Sequence, residues 1–183
     1  MEERRDLRDA MVHLQKYGIS NTLAVKIYEH YGMELYGIMK ENPYRLAEDI
    51  TGVGFRLADE LASRIGIRAD SEYRIRSGIQ YVLLQAAAEG SCYLPMKEMT
   101  ERAGGLLGVT GEDIRLQAEN LMMDKKIVIR DEAVFLSSYY YAELNCARML
   151  HDLNIPLVSR EKMPEDGKLR MLMESGRVEP DRL

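Results

Sequence analysis

Twice in the N-terminal half of the chain a short glycine turn separates two stretches of helical periodicity, and that repeat constrains the fold more than any other feature. Leu7, Met11 and Leu14, then Ala24, Ile27, Tyr28 and Tyr31, recur at helical spacing, with YGISN at 17–21 interrupting them. Gly18 suits the position just past a helix, and Ser20 or Asn21 suits the cap of the next. That second helix should stop near Gly32, and a short helix over 34–40 follows. Pro43 then opens another, since proline is tolerated in a first helical turn. This helix runs into Ile50, TGVG at 51–54 intervenes, and a helix over 55–65 is closed by Gly66. The order is helix, tight turn, helix, connector, helix, tight turn, helix. Both turns read glycine, then Ile or Val, then a small residue, and Ala24 and Ala58 occupy matching helix-packing positions. It is a weak internal duplication, in which Ser20 stands where the second copy has Gly54.

The second half has another texture. Residues 73–89 make a helix with Ile75, Ile79, Val82 and Leu83 on its apolar side, and SCYLP at 91–95 is strand-like. Helices are expected over 96–103 and 111–124, with GGLLG at 104–108 as the loop between them. KIVIRDEAVFL at 126–136 reads as two short strands around Asp131 and Glu132. A last helix over 138–153 should carry Tyr140, Leu144, Ala147 and Leu150 toward a core. Beyond Pro156 the chain turns polar and reads as a linker or flexible tail. At 183 residues and 21.0 kDa there is room for one ordinary domain or two small ones. The division expected is 1–68, 69–155 and a tail over 156–183.

Composition narrows the functional classes. With 46% hydrophobic and 30% charged residues the chain fits a folded soluble protein. No apolar run approaches the roughly 20 residues that span a bilayer, and the charged start MEERRDLRDAM is no signal peptide. Cys92 and Cys146 stand alone, as thiols of a reducing cytoplasm would. The net charge of −5 argues against nucleic acid as a partner of the whole surface and leaves room for a local basic face.

The glycine turns carry the chemistry. A tight turn feeding a helix aims several unpartnered backbone N–H groups outward, and the helix dipole adds positive charge. Phosphate oxygen fits such a place. Side chains at 52 and 54 would hold a phosphate away, and Arg56 and Arg64 lie on the helix that follows. The plainer reading is that Gly52 and Gly54 only make a compact interhelical turn. ITGVG with Ala58, preceded by a helix from Pro43, resembles the helix-hairpin-helix DNA-binding motif, and YGISNTLAVKIYEHYG looks like a first copy. Together with ENPYRLAEDITGVGFRLADELASRIGI and the segment after it, the chain resembles the N-terminal region of bacterial RecD-like DNA helicases, related to the exodeoxyribonuclease V alpha subunit. The resemblance runs over about 7–153 and is most specific at 42–67.

That resemblance implies a mainly α fold: a tandem helix-hairpin-helix unit followed by a winged-helix-like α+β unit. It implies accessory DNA binding without sequence specificity, on single-stranded DNA or at a single/double-strand junction. The motor of the same polypeptide would be the other partner, and no membrane is involved. Gly18, Ser20, Asn21 and Lys26 would serve in the first copy, and Gly52, Val53, Gly54, Arg56 and Arg64 in the second. In the family an ATP-driven motor follows these domains, but no G-x-x-x-x-G-K-[ST] occurs here. The chain is therefore expected to be a fragment of a longer cytoplasmic protein. It would have no catalytic residues, metal or cofactor of its own, with ATP and magnesium belonging to the motor. The competing reading is a protein-interaction module whose hairpins only pack helices.

Other motifs carry less. His13, His30 and His151 are scattered, without metal-ligand spacing. Glu60 and Arg64, four apart, suit a surface ion pair that competes with a DNA role for Arg64. Residues 111–124 offer Glu112, Asp113 and Glu119 against Arg115, a poor composition for reading a DNA groove. Lys125, Lys126 and Arg130 make a modest basic cluster nearby.

Overall fold

The computed structural model describes residues 2–162, with side chains from Arg5 to Leu153. Contacts divide the chain into two compact units, Met1–Ser137 and Ser138–Leu183. The first unit begins with α1 (Glu2–Gln15) and α2 (Asn21–Tyr31). A 3-10 turn, Gly32–Glu34, leads into α3 (Leu35–Glu41), followed by α4 (Arg45–Asp49) and α5 (Phe55–Ile65). Their apolar faces meet in one cluster built on Leu14, Ile27, Leu35, Leu46 and Leu61, all at most 1% exposed. Fully burying such a side chain contributes roughly 1.5–3 kcal/mol, so this cluster fixes how the two hairpins sit together.

The rest of the unit runs α6 (Glu72–Ala88), β1 (Tyr93–Pro95), α7 (Met96–Leu107), α8 (Gly111–Met123), β2 (Ile127–Arg130) and β3 (Ala133–Leu136). The strands form an antiparallel sheet in the order β1-β3-β2, with Leu94 opposite Val134 and Ile127 opposite Leu136. Those four side chains point inward onto Ile75, Ile79, Val82 and Leu83, the apolar stripe expected on α6. The protein is thus mainly α, with a small α+β part after the helical hairpins.

This second core does not stop at α6. Tyr44, Phe55, Ala58 and Ala62 belong to it as well, while Leu61 and Val53 belong to the hairpin core. Helix α5 therefore buries two faces, one in each core. A stack of rings, Tyr44 on Phe55 and Phe55 on Tyr81 at 6.1 and 5.1 Å between centroids, crosses the same seam.

Three local expectations are corrected. GGLLG is not a loop: α7 continues through Gly104 and Gly105, and only Gly108 turns left-handed at φ +69. Met99, Ala103 and Leu107 are buried four residues apart, so packing carries the helix across its own glycines. The last helix, α9 (Ser137–Lys162), runs on past 153 and through Pro156. On it Tyr140 and Leu144 are only half-buried, and Ala147 and Leu150 are exposed, so the stripe expected to face a core does not. The part of the expected tail over 163–183 lies outside the described residues.

Candidate nucleic-acid interface

The first turn is a helix C-terminus followed at once by a helix N-terminus. Ile19 N–H donates to Leu14 C=O at 3.3 Å and Gly18 N–H to Gln15 C=O at 2.9 Å, the paired bonds of a Schellman motif. Gly18 takes the left-handed position at φ +85. Ile19 is buried and pins the turn to the hairpin core. Ser20 caps α2, its hydroxyl accepting a long 3.5 Å bond from Leu23 N–H. The Asn21 side-chain oxygen accepts from the Gln15 amide.

The second turn is a four-residue reverse turn. Val53 N–H donates to Ile50 C=O at 3.0 Å, with Gly52 at φ +106 in the position that needs a positive φ. Ile50 and Val53 are both buried. Gly54 then caps α5 at φ −96, ψ 169, an extended conformation open to any residue. A Cβ at Gly54 would meet nothing within 4 Å. The N–H groups of Gly54, Phe55, Arg56 and Leu57 have no acceptor in the described structure. At the first turn Ser20, Asn21 and Thr22 are in that state, because the Ser20 hydroxyl takes the next donor.

The side chains sort differently from what spacing suggested. Val53 has a buried side chain, and its N–H is used by the turn, so it anchors the hairpin. Arg56 is exposed at the start of α5, and no ion pair holds it among the described residues. Arg64 forms the expected pair with Glu60, Nη2 to Oε1 at 2.6 Å, half-exposed on both sides. Its other nitrogen lies against the first turn: Nη1 would be 3.3 Å from a Cβ on Gly18. Lys26 lies on α2, beyond the first turn. It lines an open cleft of about 410 Å³ with Glu29 and His30 of α2 and with Asp49, Ile50 and Thr51, which lead into the second turn. Gly52 in turn packs on Leu23 of α2, 3.2 Å from Cδ2 to the position of a Cβ. The two hairpins are therefore interleaved, each turn lying against the other's second helix.

One constellation was missed by sequence reasoning. Arg74 of α6 reaches Asp59 of α5 with two nitrogens, at 2.8 and 3.2 Å, and the carbonyls of Ala69 and Leu107 with the third, at 2.9 and 2.8 Å. Tyr44 donates its hydroxyl to the same Asp59 at 2.7 Å. Burial, then that bond to the Asp59 carboxylate, pushes the Tyr44 phenol well above the ordinary tyrosine range. No spacing rule joins positions 59 and 74, since the pair exists only through tertiary packing.

Among the described residues no group of three His, Cys, Asp or Glu side chains is placed to hold a metal ion. No helix there is long and apolar enough to cross a membrane. Residues 3–93, which span both hairpins, α6 and the start of β1, match the family model described as the ATP-dependent RecD2 DNA helicase HHH domain. The match supports an N-terminal helix-hairpin-helix region of a RecD-like DNA helicase over residues 3–93.

Proposed function

We propose that the chain is an accessory DNA-binding region of a RecD-like helicase, holding the phosphate backbone through its hairpin turns without reading sequence. The family supports nucleic-acid binding in general. One observation carries the finer reading: Gly54 is glycine where the fold demands none. Its backbone is extended, the space around a Cβ is empty, and its counterpart Ser20 bears a side chain that caps a helix. Four outward N–H groups follow, with Arg56 beside them. A bare backbone there lets phosphate oxygen reach the donors, and phosphate contacts position a protein without specifying bases.

In this account residues 1–68 meet DNA, and the motor, with its ATP and magnesium, belongs to the same longer polypeptide. The winged-helix-like part over 69–155 contacts protein and does not read a groove. Helix α8 supports that division, with Leu116 and Met123 exposed among Glu112 and Glu119. The test is a salt titration of binding to single- and double-stranded oligonucleotides of several sequences. Backbone binding predicts one slope of log K against log salt for all sequences of a given strandedness. Absence of binding at low salt would favour the protein-interaction reading.

A further inference from the structure

We infer that the two hairpins exchange their cations: Arg64, carried by the second hairpin's helix, supplies the phosphate-binding charge of the first hairpin's turn. The inference rests on the reading that these turns hold DNA phosphate, and it assigns one residue within that site. On its own helix the first turn has no charge where one is needed. Thr22 stands where the second hairpin carries Arg56, at the same interval that separates Gly18 from Gly52. Lys26 lies toward Asp49, Ile50 and Thr51, at the approach to the second turn.

Arg64 fills that gap. Its Nη1 and Cζ would lie 3.3 and 4.0 Å from a Cβ on Gly18, so the guanidinium rests on the face of the first turn itself. Nη2 is held by Glu60 at 2.6 Å, and Nη1 has no protein acceptor in the described structure. A guanidinium fixed through one nitrogen presents another in a set direction, which suits recognition of a phosphodiester oxygen. The relation is reciprocal in position. His30 of α2 stands at the place of Arg64 in the repeat and lines the cleft beside Ile50 and Thr51. Gly18 therefore has a reason beyond its φ of +85: a side chain there would displace Arg64.

A double-mutant cycle on DNA affinity tests this, with one oligonucleotide, fluorescence anisotropy, and thermal melts confirming that each variant is folded. Arg64→Ala should weaken binding about 5-fold and lower the salt slope by about one phosphate contact, and Arg64→Lys should restore the slope. A purely structural role for Arg64 predicts no such rescue. Combined with Gly54→Ser, its effect should multiply, because the two variants act on different turns. Coupling to Gly54→Ser, or a salt slope that Arg64→Ala leaves unchanged, overturns the exchange while leaving DNA binding by the turns intact. A parent chain that binds no DNA overturns both.

Discussion

Gly52 has φ +106, and Leu23 Cδ2 lies 3.2 Å from where its Cβ would be, so conformation and space both exclude a side chain. Gly52→Ala should destabilise the fold by about 1–2 kcal/mol, the usual cost of a left-handed backbone, read as a lower midpoint in denaturant unfolding. Gly54, two residues on, carries neither constraint. The sequence shows two glycines and cannot separate them, because the difference lies in φ and in a neighbour from another helix. The tip of the β2–β3 hairpin shows the opposite economy. Asp131 and Glu132 have φ +48 and +65, a turn that favours Asn-Gly. Asp131→Asn with Glu132→Gly should raise stability by about 1 kcal/mol, seen as a higher unfolding midpoint with unchanged slope. Spacing located that turn correctly between two strands but gave no sign of its strain.

At the scale of elements, α5 was the most legible piece, bounded by Gly54 and Gly66 as its flanking residues suggested. Its two-sided burial was not legible, since Phe55, Ala58, Ala62 and Leu61 read as one apolar stripe until their separate partners are seen. Helix α9 shows the reverse error: Tyr140, Leu144, Ala147 and Leu150 have helical periodicity, yet Leu150 is 68% exposed. Periodicity reports what a helix can bury, and only packing decides what it does bury. The tie between α5, α6 and the end of α7 runs through Arg74, whose side chain is 16% exposed. Arg74→Met should cost about 1–3 kcal/mol, because Asp59 and the Leu107 carbonyl lose their donor in a half-buried place. Urea unfolding measures it. Tyr44 adds a pH signature. Its folded pKa lies above the unfolded value of about 10, so its contribution is complete below that pH and is lost as pH rises toward the folded value. Tyr44→Phe should therefore flatten the alkaline fall in stability above about pH 10, measured by urea unfolding across that range.

At the scale of the whole molecule, the hairpins and the α+β part share α5, so a cut after residue 68 removes one wall of its burial. A chain ending there should unfold at lower denaturant and with weaker cooperativity than one ending at Ser137, where the first compact unit stops. The chain carries a net charge of −5, so DNA binding has to be local, and bulk electrostatics works against it. On the proposed function, a turn whose bare backbone admits phosphate would meet that condition with a few donors and one or two arginines. The direct measurement is the affinity of Gly54→Ser for one oligonucleotide across a salt series, alongside its thermal melt. Serine at this cap should leave stability unchanged or raise it by a few tenths of a kcal/mol, as Ser20 shows that the site accepts such a residue. The account predicts that the folded variant binds DNA about tenfold more weakly than the parent at every salt concentration. Binding as tight as the parent's, with the melt intact, would contradict it.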